Sequence, residues 1–252
     1  MKNRLWLFAA AGLLAASFLA GCSSPNGMPA PSDGPPVDKT ASAPPSEEAF
    51  SIESPGLDEP SPIVAVSTPA QSQAMLDILS GGTFDGGVYM NDTLGISAGI
   101  PSQWNGVVKD DLAVLLGNQY INGNMGYIFA FFRYPLDGSA VAFNDNLIAS
   151  VQDVSFNGEM GVESTAEFVE MMLQDLTGYT VDSEPSDFAA RLNTGTRAAT
   201  SSHVDGTDVY QVFYCMMVDN FIISLIYTTS DESTIDAMDK TVGDMKLGKI
   251  NE

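Results

Sequence analysis

Apolar positions fall into three regimes along the chain. From Leu5 to Ala20 they run unbroken ("LWLFAAAGLLAASFLA"), from Ser23 to Ala70 they follow no period, and from about Gln71 to Lys249 they alternate between the periods of strands and helices. In the third regime "QSQAMLDIL" predicts a short leading helix. "GGVYMNDTLGISAGIP" predicts two strands around an Asn-Asp turn. "SQWNGVVKDDLAVLLG" reads as a turn and a short helix with Leu112, Leu115 and Leu116 inward. "MGYIFAFFRYP" is a strand stopped by Pro135, and "NLIASVQDVSF" is another. Ser164 opens a helix as the first residue of the capping box "STAE". Its stripe is Phe168, Val169, Met172, Leu173 and Leu176, and Gly178 is placed to end it. A variable stretch follows. Then "TGTRAATSSHV", "TDVYQVFYCMMV" and "NFIISLIYTT" read as three strands, joined at Asp205-Gly206 and Asp219-Asn220, both good hairpin pairs. A last helix starts near Ser230. Asp231 and Glu232 suit its positive end, and Ile235, Met238, Val242 and Met245 form its stripe.

The central strands predict the architecture. In "YIFAFF", "FYCMMV" and "FIISLIY" apolar residues occupy both alternating sets, so these strands are buried on both faces. Hairpin turns between consecutive strands make the sheet antiparallel. The expected class is α+β: a twisted, mainly antiparallel sheet with helices packed on both faces, over residues 71–252, after a disordered N-terminal tether.

The unbroken run at the start has the form of an address. Lys2 and Arg4 precede it, and it is a little short for a permanent span, which needs about 20 apolar residues. Residues 1–21 are therefore expected to be a secretory signal. Leu19, Ala20, Gly21 and Cys22 then resemble the lipobox of bacterial lipoproteins. That resemblance implies cleavage between Gly21 and Cys22 and a diacylglyceryl group on the Cys22 thiol. Two acyl chains hold a protein stably where one holds it marginally. It implies a lipid-anchored protein on the extracytoplasmic face of a bacterial cell membrane. The alternative is an ordinary signal peptide with an incidental cysteine. With Cys22 acylated, Cys215 has no disulfide partner. Its surroundings, "YQVFYCMMV", predict a small buried core residue and not a reactive thiol.

Between Ser23 and Ala70 lie eleven of the fourteen prolines, with seven acidic residues and one lysine. No apolar face survives that many prolines, so residues 22–70 are expected to be the lipidated cysteine and a disordered tether. A flexible coil of this length reaches roughly 40 Å, and full polyproline II extension roughly 150 Å.

Charge narrows the partners. Ten Lys and Arg against 32 Asp and Glu give a net charge of −22. Such a surface repels nucleic-acid phosphates and anionic lipid head groups. Nucleic-acid binding is excluded on that ground, and a protein or cationic partner is favoured over an acidic one. Solubility at the cell surface is the other use of such a charge.

Two further features resemble PsbP-like domains. One is the strand pair ending in "GISAGIPSQW", with its Pro-x-x-Trp. The other is the closing "TDVYQVFYCMMVDNFIISLIYTT" with its acidic helix. The resemblance covers about residues 84–247. It implies a binding or assembly fold with no shared catalytic motif to carry over.

The search for chemistry returns little. His203 is the one histidine, and in "SSHVDG" its neighbours Ser202 and Asp205 cannot form a triad with it along a strand. No histidine or cysteine pair offers a metal site. "DGTD" (205–208) and "SDESTID" (230–236) lack the pattern of a calcium loop and read as a turn and a helix start. "GGTFDGG" leads into a strand, so it is no phosphate cradle. Tyr127, Phe129, Phe131 and Arg133 are expected on one strand face, where Arg133 either lines a cleft and holds an anion or pairs with a carboxylate at the strand end. The expected function is that of a membrane-anchored lipoprotein with a non-catalytic binding or accessory domain, no cofactor and no metal. The alternative is a secreted carboxylate-dependent hydrolase acting on envelope or extracellular substrates, since 25 acidic residues lie beyond Gln71.

Overall fold

The computed structural model describes residues 72–117, 121–137, 142–155, 162–191 and 193–248. The signal sequence, the Gly21–Cys22 junction and the Pro-rich segment lie outside the described residues.

Two antiparallel sheets and four α-helices make up the domain. The first helix, α1 (Gln73–Gly81), starts where the Ser72 hydroxyl accepts the Met75 N–H at 3.2 Å. It buries Met75, Ile78 and Leu79, the i, i+3, i+4 face of its sequence. β1 (Thr83–Asp85), β2 (Val88–Asn91) and β3 (Ile96–Gly99) form a small antiparallel meander. Asn91 ties it to α1. Its Nδ2 donates to the Ile78 carbonyl at 2.8 Å, and its Oδ1 accepts the Leu94 N–H at 3.1 Å.

The large sheet contains β4 (Asn105–Val107), β5 (Ile121–Asn122), β6 (Met125–Phe132), β7 (Asn146–Asp153), β8 (Thr180–Ala190), β9 (Asn193–Val204), β10 (Thr207–Val218) and β11 (Phe221–Thr229). Its order is β4-β6-β7-β11-β10-β9-β8, with β5 added on β6. Two-residue turns give β9-β10 and β10-β11. Asp205 and Gly206 have φ of 50° and 81°, and Asp219 has φ 53°, the left-handed backbone that such turns require. All residues of β6 are buried, as its doubly apolar pattern predicts, and so are all residues of β7, although Asn146, Ser150, Gln152 and Asp153 are polar.

One face carries α1, the small sheet and α4 (Ile235–Gly243), which enters through a 3₁₀ turn at Glu232–Thr234. Leu79 of α1 lies directly over Gly126, where a Cβ would stand 2.7 Å from its methyl group, so any larger residue there would make the Leu79 side chain shift. The other face carries α2 (Lys109–Leu116) over Tyr127, Ala130 and Phe132, and α3 (Thr165–Asp175) over Ala198, Phe213 and Cys215. α3 is capped at Ser164, but the Glu167 carboxylate bonds the N–H one residue before the cap and not the cap's own, so half of the expected capping box forms. Ser164 Oγ accepts the Glu167 N–H at 3.2 Å, while Glu167 Oε2 reaches back to the Glu163 N–H at 3.0 Å. Helices do pack on both faces, as expected.

Two readings need correction. The stretch taken as variable is β8, an eleven-residue strand pairing with β9 through two register shifts. Its side chains are mostly exposed and it contains Pro185 and three acidic residues, so the apolar alternation is missing. An edge strand tolerates all of this, because one side makes no ladder and charge guards it against pairing with other chains. Second, Tyr127 does not share a face with Phe129 and Phe131. A β-bulge between Tyr127 and Phe129 inserts Ile128 and throws Tyr127 to the α2 side.

Candidate functional site

A concavity among the described residues lies where β6, β11 and α4 come together at one end of the large sheet. Its volume is about 600 Å³. Pro101 to Trp104 form a tight turn, closed by the Trp104 N–H on the Pro101 carbonyl at 3.0 Å, with Gln103 held at φ 68°. The turn feeds β4, so Trp104 is fixed half-buried at the lip with its ring 6.3 Å from that of Tyr227 on β11. Tyr134 and Pro135, just beyond β6, form the facing wall, and Met238 of α4 closes the back. Asn144 braces the Tyr134 backbone on both sides, accepting its N–H at 2.9 Å and donating to its carbonyl at 3.1 Å.

Arg133 is the charged group of this cleft. Its Nη1 meets Asp145 Oδ2 at 2.8 Å, and its N–H bonds the Asp145 carbonyl at 2.9 Å, extending the β6-β7 ladder by one pair. Asp145 Oδ1 accepts the Thr229 hydroxyl at 3.0 Å, so both carboxylate oxygens are engaged. The two partners differ in exposure: the Asp145 side chain is 6 % exposed, the Arg133 side chain 45 %. Asp145 is thus a buried holder and Arg133 a presented group with further N–H donors open to a ligand. The Asp145 hydrogen bond and charge push the Arg133 pKa above its ordinary value, so the guanidinium is always charged. It also lies 5.7 Å from the Tyr134 ring centroid. Beneath it, the Tyr227 and Thr234 hydroxyls meet at 2.6 Å, and Thr229 Oγ accepts the Asp231 N–H at 3.0 Å, which seats the start of α4. A side pocket of about 320 Å³ continues past Arg133 toward Phe143 and Asp231.

A second polar network fixes α4 from its other side. Asp239 Oδ1 accepts both Arg197 Nε at 2.8 Å and the Tyr214 hydroxyl at 2.6 Å. Burial raises the Tyr214 pKa, and the Asp239 hydrogen bond and charge add to it, so the phenol stays neutral and donates.

Of the residues singled out in the sequence, the structure brings together the Pro101–Trp104 turn and Arg133. Arg133 pairs with a carboxylate at the strand end, and it also lines a cleft. Cys215 is fully buried, and burial pushes its thiol up to about 12. His203 Nδ1 pairs at 2.7 Å with Asp208, its cross-strand neighbour on β10, and both side chains are exposed, so Ser202 and Asp205 take no part. Asp231 caps the 3₁₀ turn, its Oδ1 accepting the Ser233 N–H at 3.1 Å. Gly21 and Cys22 lie outside the described residues. Among the described residues, no group of three or more His, Cys, Asp and Glu side chains gathers to hold a metal ion. Nor is any described helix long and apolar enough to cross a membrane. Sequence reasoning missed Asp145, Thr229, Tyr227 and Thr234. Asp145 is 12 residues from Arg133 and 84 from Thr229, and nothing local marks it.

No family model and no curated protein matches the chain. Solved structures do. LpqN, involved in cell envelope biogenesis of Mycobacterium tuberculosis, is 15% identical, with a TM-score of 0.39 over 61% of this chain and 83% of LpqN. PA94 of Pseudomonas aeruginosa, a protein of unknown function, is 12% identical, with a TM-score of 0.37 over 52% of this chain and 88% of its own. A Bacteroides thetaiotaomicron protein is 11% identical, with a TM-score of 0.36 over 62% of this chain and 46% of its own. None of these likenesses carries the functional argument, which rests on the cleft.

Proposed function

We propose that this chain is a lipid-anchored protein of the bacterial cell envelope. It is tethered through Cys22, and its α+β domain binds a partner in the cleft of Trp104 and Arg133 without catalysing a reaction. The observation that carries the reading is the form of that cleft: a presented guanidinium on a buried carboxylate, between aromatic walls. Such a form supports recognition of a ligand. A carboxylate-dependent hydrolase would need two free carboxylates facing the substrate. Asp145, the carboxylate nearest the centre, has both oxygens engaged. The PsbP-like resemblance belongs to the same proposal, since its Pro-x-x-Trp is the turn that forms the lip. Nucleic acid is not among the partners proposed, for the charge reason given above.

Photocrosslinking tests the reading. A photoreactive side chain placed at Tyr134, at the cleft mouth, is expected to give a discrete adduct in intact cells. The same group at Val114, exposed on α2, is expected to give none. Equal crosslinking at both positions would overturn the assignment of the cleft.

A further inference from the structure

The cleft has three chemically distinct parts, and together they select a ligand. Its walls are Pro101, Trp104, Tyr134, Pro135 and Tyr227, an unusual density of aromatic and proline surface around one opening. Tyr134 and its neighbour Leu136 stay exposed at 39% and 47%, so apolar surface continues beyond the mouth. Among the lining polar groups, Arg133 and the Trp104 indole only donate, while the Gln103 amide and the Ser102 and Thr241 hydroxyls both donate and accept. Asp145 is buried beneath them, each of its oxygens already accepting one hydrogen bond, from Arg133 and from Thr229. The rim toward α4 is acidic: Asp231, Glu232 and Asp236 are exposed in the turn and helix that carry the lining residues Thr234 and Ala237.

We infer that the cleft takes a proline-rich, positively charged peptide segment of a partner protein. The inference rests on the binding reading above and adds the ligand class. A polyproline II strand has flat apolar ring faces that suit an aromatic- and proline-lined groove. Its carbonyls are not hydrogen-bonded internally, and its prolines have no N–H, so the ligand brings acceptors to the Arg133 and Trp104 donors. Its basic side chains meet the acidic rim, and the −22 charge of the chain steers them toward it. An anionic ligand would match Arg133 but face that field.

The test is fluorescence anisotropy with the full chain in detergent and labelled peptides of three repeats. Lys-Pro-Pro repeats are expected to bind saturably, at least about tenfold tighter than Lys-Gly-Ser repeats of equal charge or Glu-Pro-Pro repeats. Arg133→Lys keeps a cation on Asp145 but removes the fork. Gln103→Gly keeps the positive φ and removes the amide. Trp104→Phe trims the platform without emptying it. Trp104→Phe and Arg133→Lys are each expected to weaken binding about fivefold or more, and Gln103→Gly about twofold or more, with far-UV spectra and melting curves unchanged. Equal binding of the Lys-Pro-Pro and Lys-Gly-Ser peptides would overturn the proline assignment. Binding indifferent to all three substitutions would overturn the location. Absence of peptide binding together with saturable binding of a neutral oligosaccharide would replace the ligand class. If the crosslink at Tyr134 persists while no peptide binds, the peptide inference fails and the cleft reading stands. If that crosslink is no stronger than at Val114, the cleft reading itself fails.

Discussion

Asp239 shows how one side chain sets a whole element. It accepts from Arg197 and Tyr214 at once, 42 and 25 residues away in sequence, and so pins the middle of α4 to β9 and β10. Removing one donor leaves a partly buried carboxylate short of a partner. Arg197→Ala is therefore expected to cost about 2 kcal/mol and Tyr214→Phe about 1 kcal/mol, read from denaturant midpoints. The double variant should lose less than the sum, because the two donors share one acceptor. Full additivity would show that the network is not shared. Cys215 gives a second residue-scale expectation. Its thiol, pushed up to about 12 by burial, should not react with an aromatic disulfide reagent at pH 8 in the folded chain and should react at once in denaturant. Cys22 is tested by a different measurement, metabolic labelling. Lipidation predicts that Cys22→Ala loses incorporation of a fatty-acid analogue, and equal labelling of variant and parent would sink the anchor.

At the scale of elements, capping and bulges decide what periodicity leaves open. The α3 start was legible as Ser164 followed by Glu167, and the structure places the cap there, with the Glu167 side chain reaching the Glu163 N–H. Ser164→Ala is expected to cost about 1 kcal/mol, and Ser164→Asp to retain most of the stability, since aspartate caps equally well. A thermal melt distinguishes the two. β6 was legible as a strand, but its bulge was not. Nothing in "YIFAFF" says which residue is the extra one. The answer depends on what each side chain meets: Phe129 and Phe131 stack at 4.7 Å on the α1 side, while Tyr127 lies among the α2 contacts. β8 was illegible for the opposite reason. An edge strand needs no apolar alternation, so its pairing with β9 left no trace in the pattern.

For the molecule as a whole, buried phenols make alkaline pH a global test. Burial raises the pKa of Tyr127, Tyr214 and Tyr227 in the folded domain. In the unfolded chain tyrosines ionise near the ordinary value of about 10. The unfolded state therefore loses protons first. The stability these phenols contribute is complete below about pH 10 and falls as the pH rises above it. Denaturant midpoints should hold level from pH 7 to 9 and drop steeply above 10. In the folded domain, the phenolate absorbance should rise in part with pH and complete its rise only on unfolding. A midpoint unchanged at pH 11 would contradict the burial of these groups.

The sequence by itself determined the doubly covered antiparallel sheet, because strands apolar on both alternating sets have no other stable place. It determined the hairpins at Asp205-Gly206 and Asp219-Asn220, because few residue pairs adopt those backbone angles. Tertiary structure alone decided the cleft. The Pro101–Trp104 turn and Arg133 were visible as separate features, but the site exists because β6, β7 and β11 lie side by side and bring Arg133, Asp145 and Thr229 into one hydrogen-bonded set. Strand order is set by the packing of the whole core, a sum over many weak contacts far apart in sequence. No local pattern records that sum, so the carboxylate that holds Arg133 became identifiable only once the chain was folded.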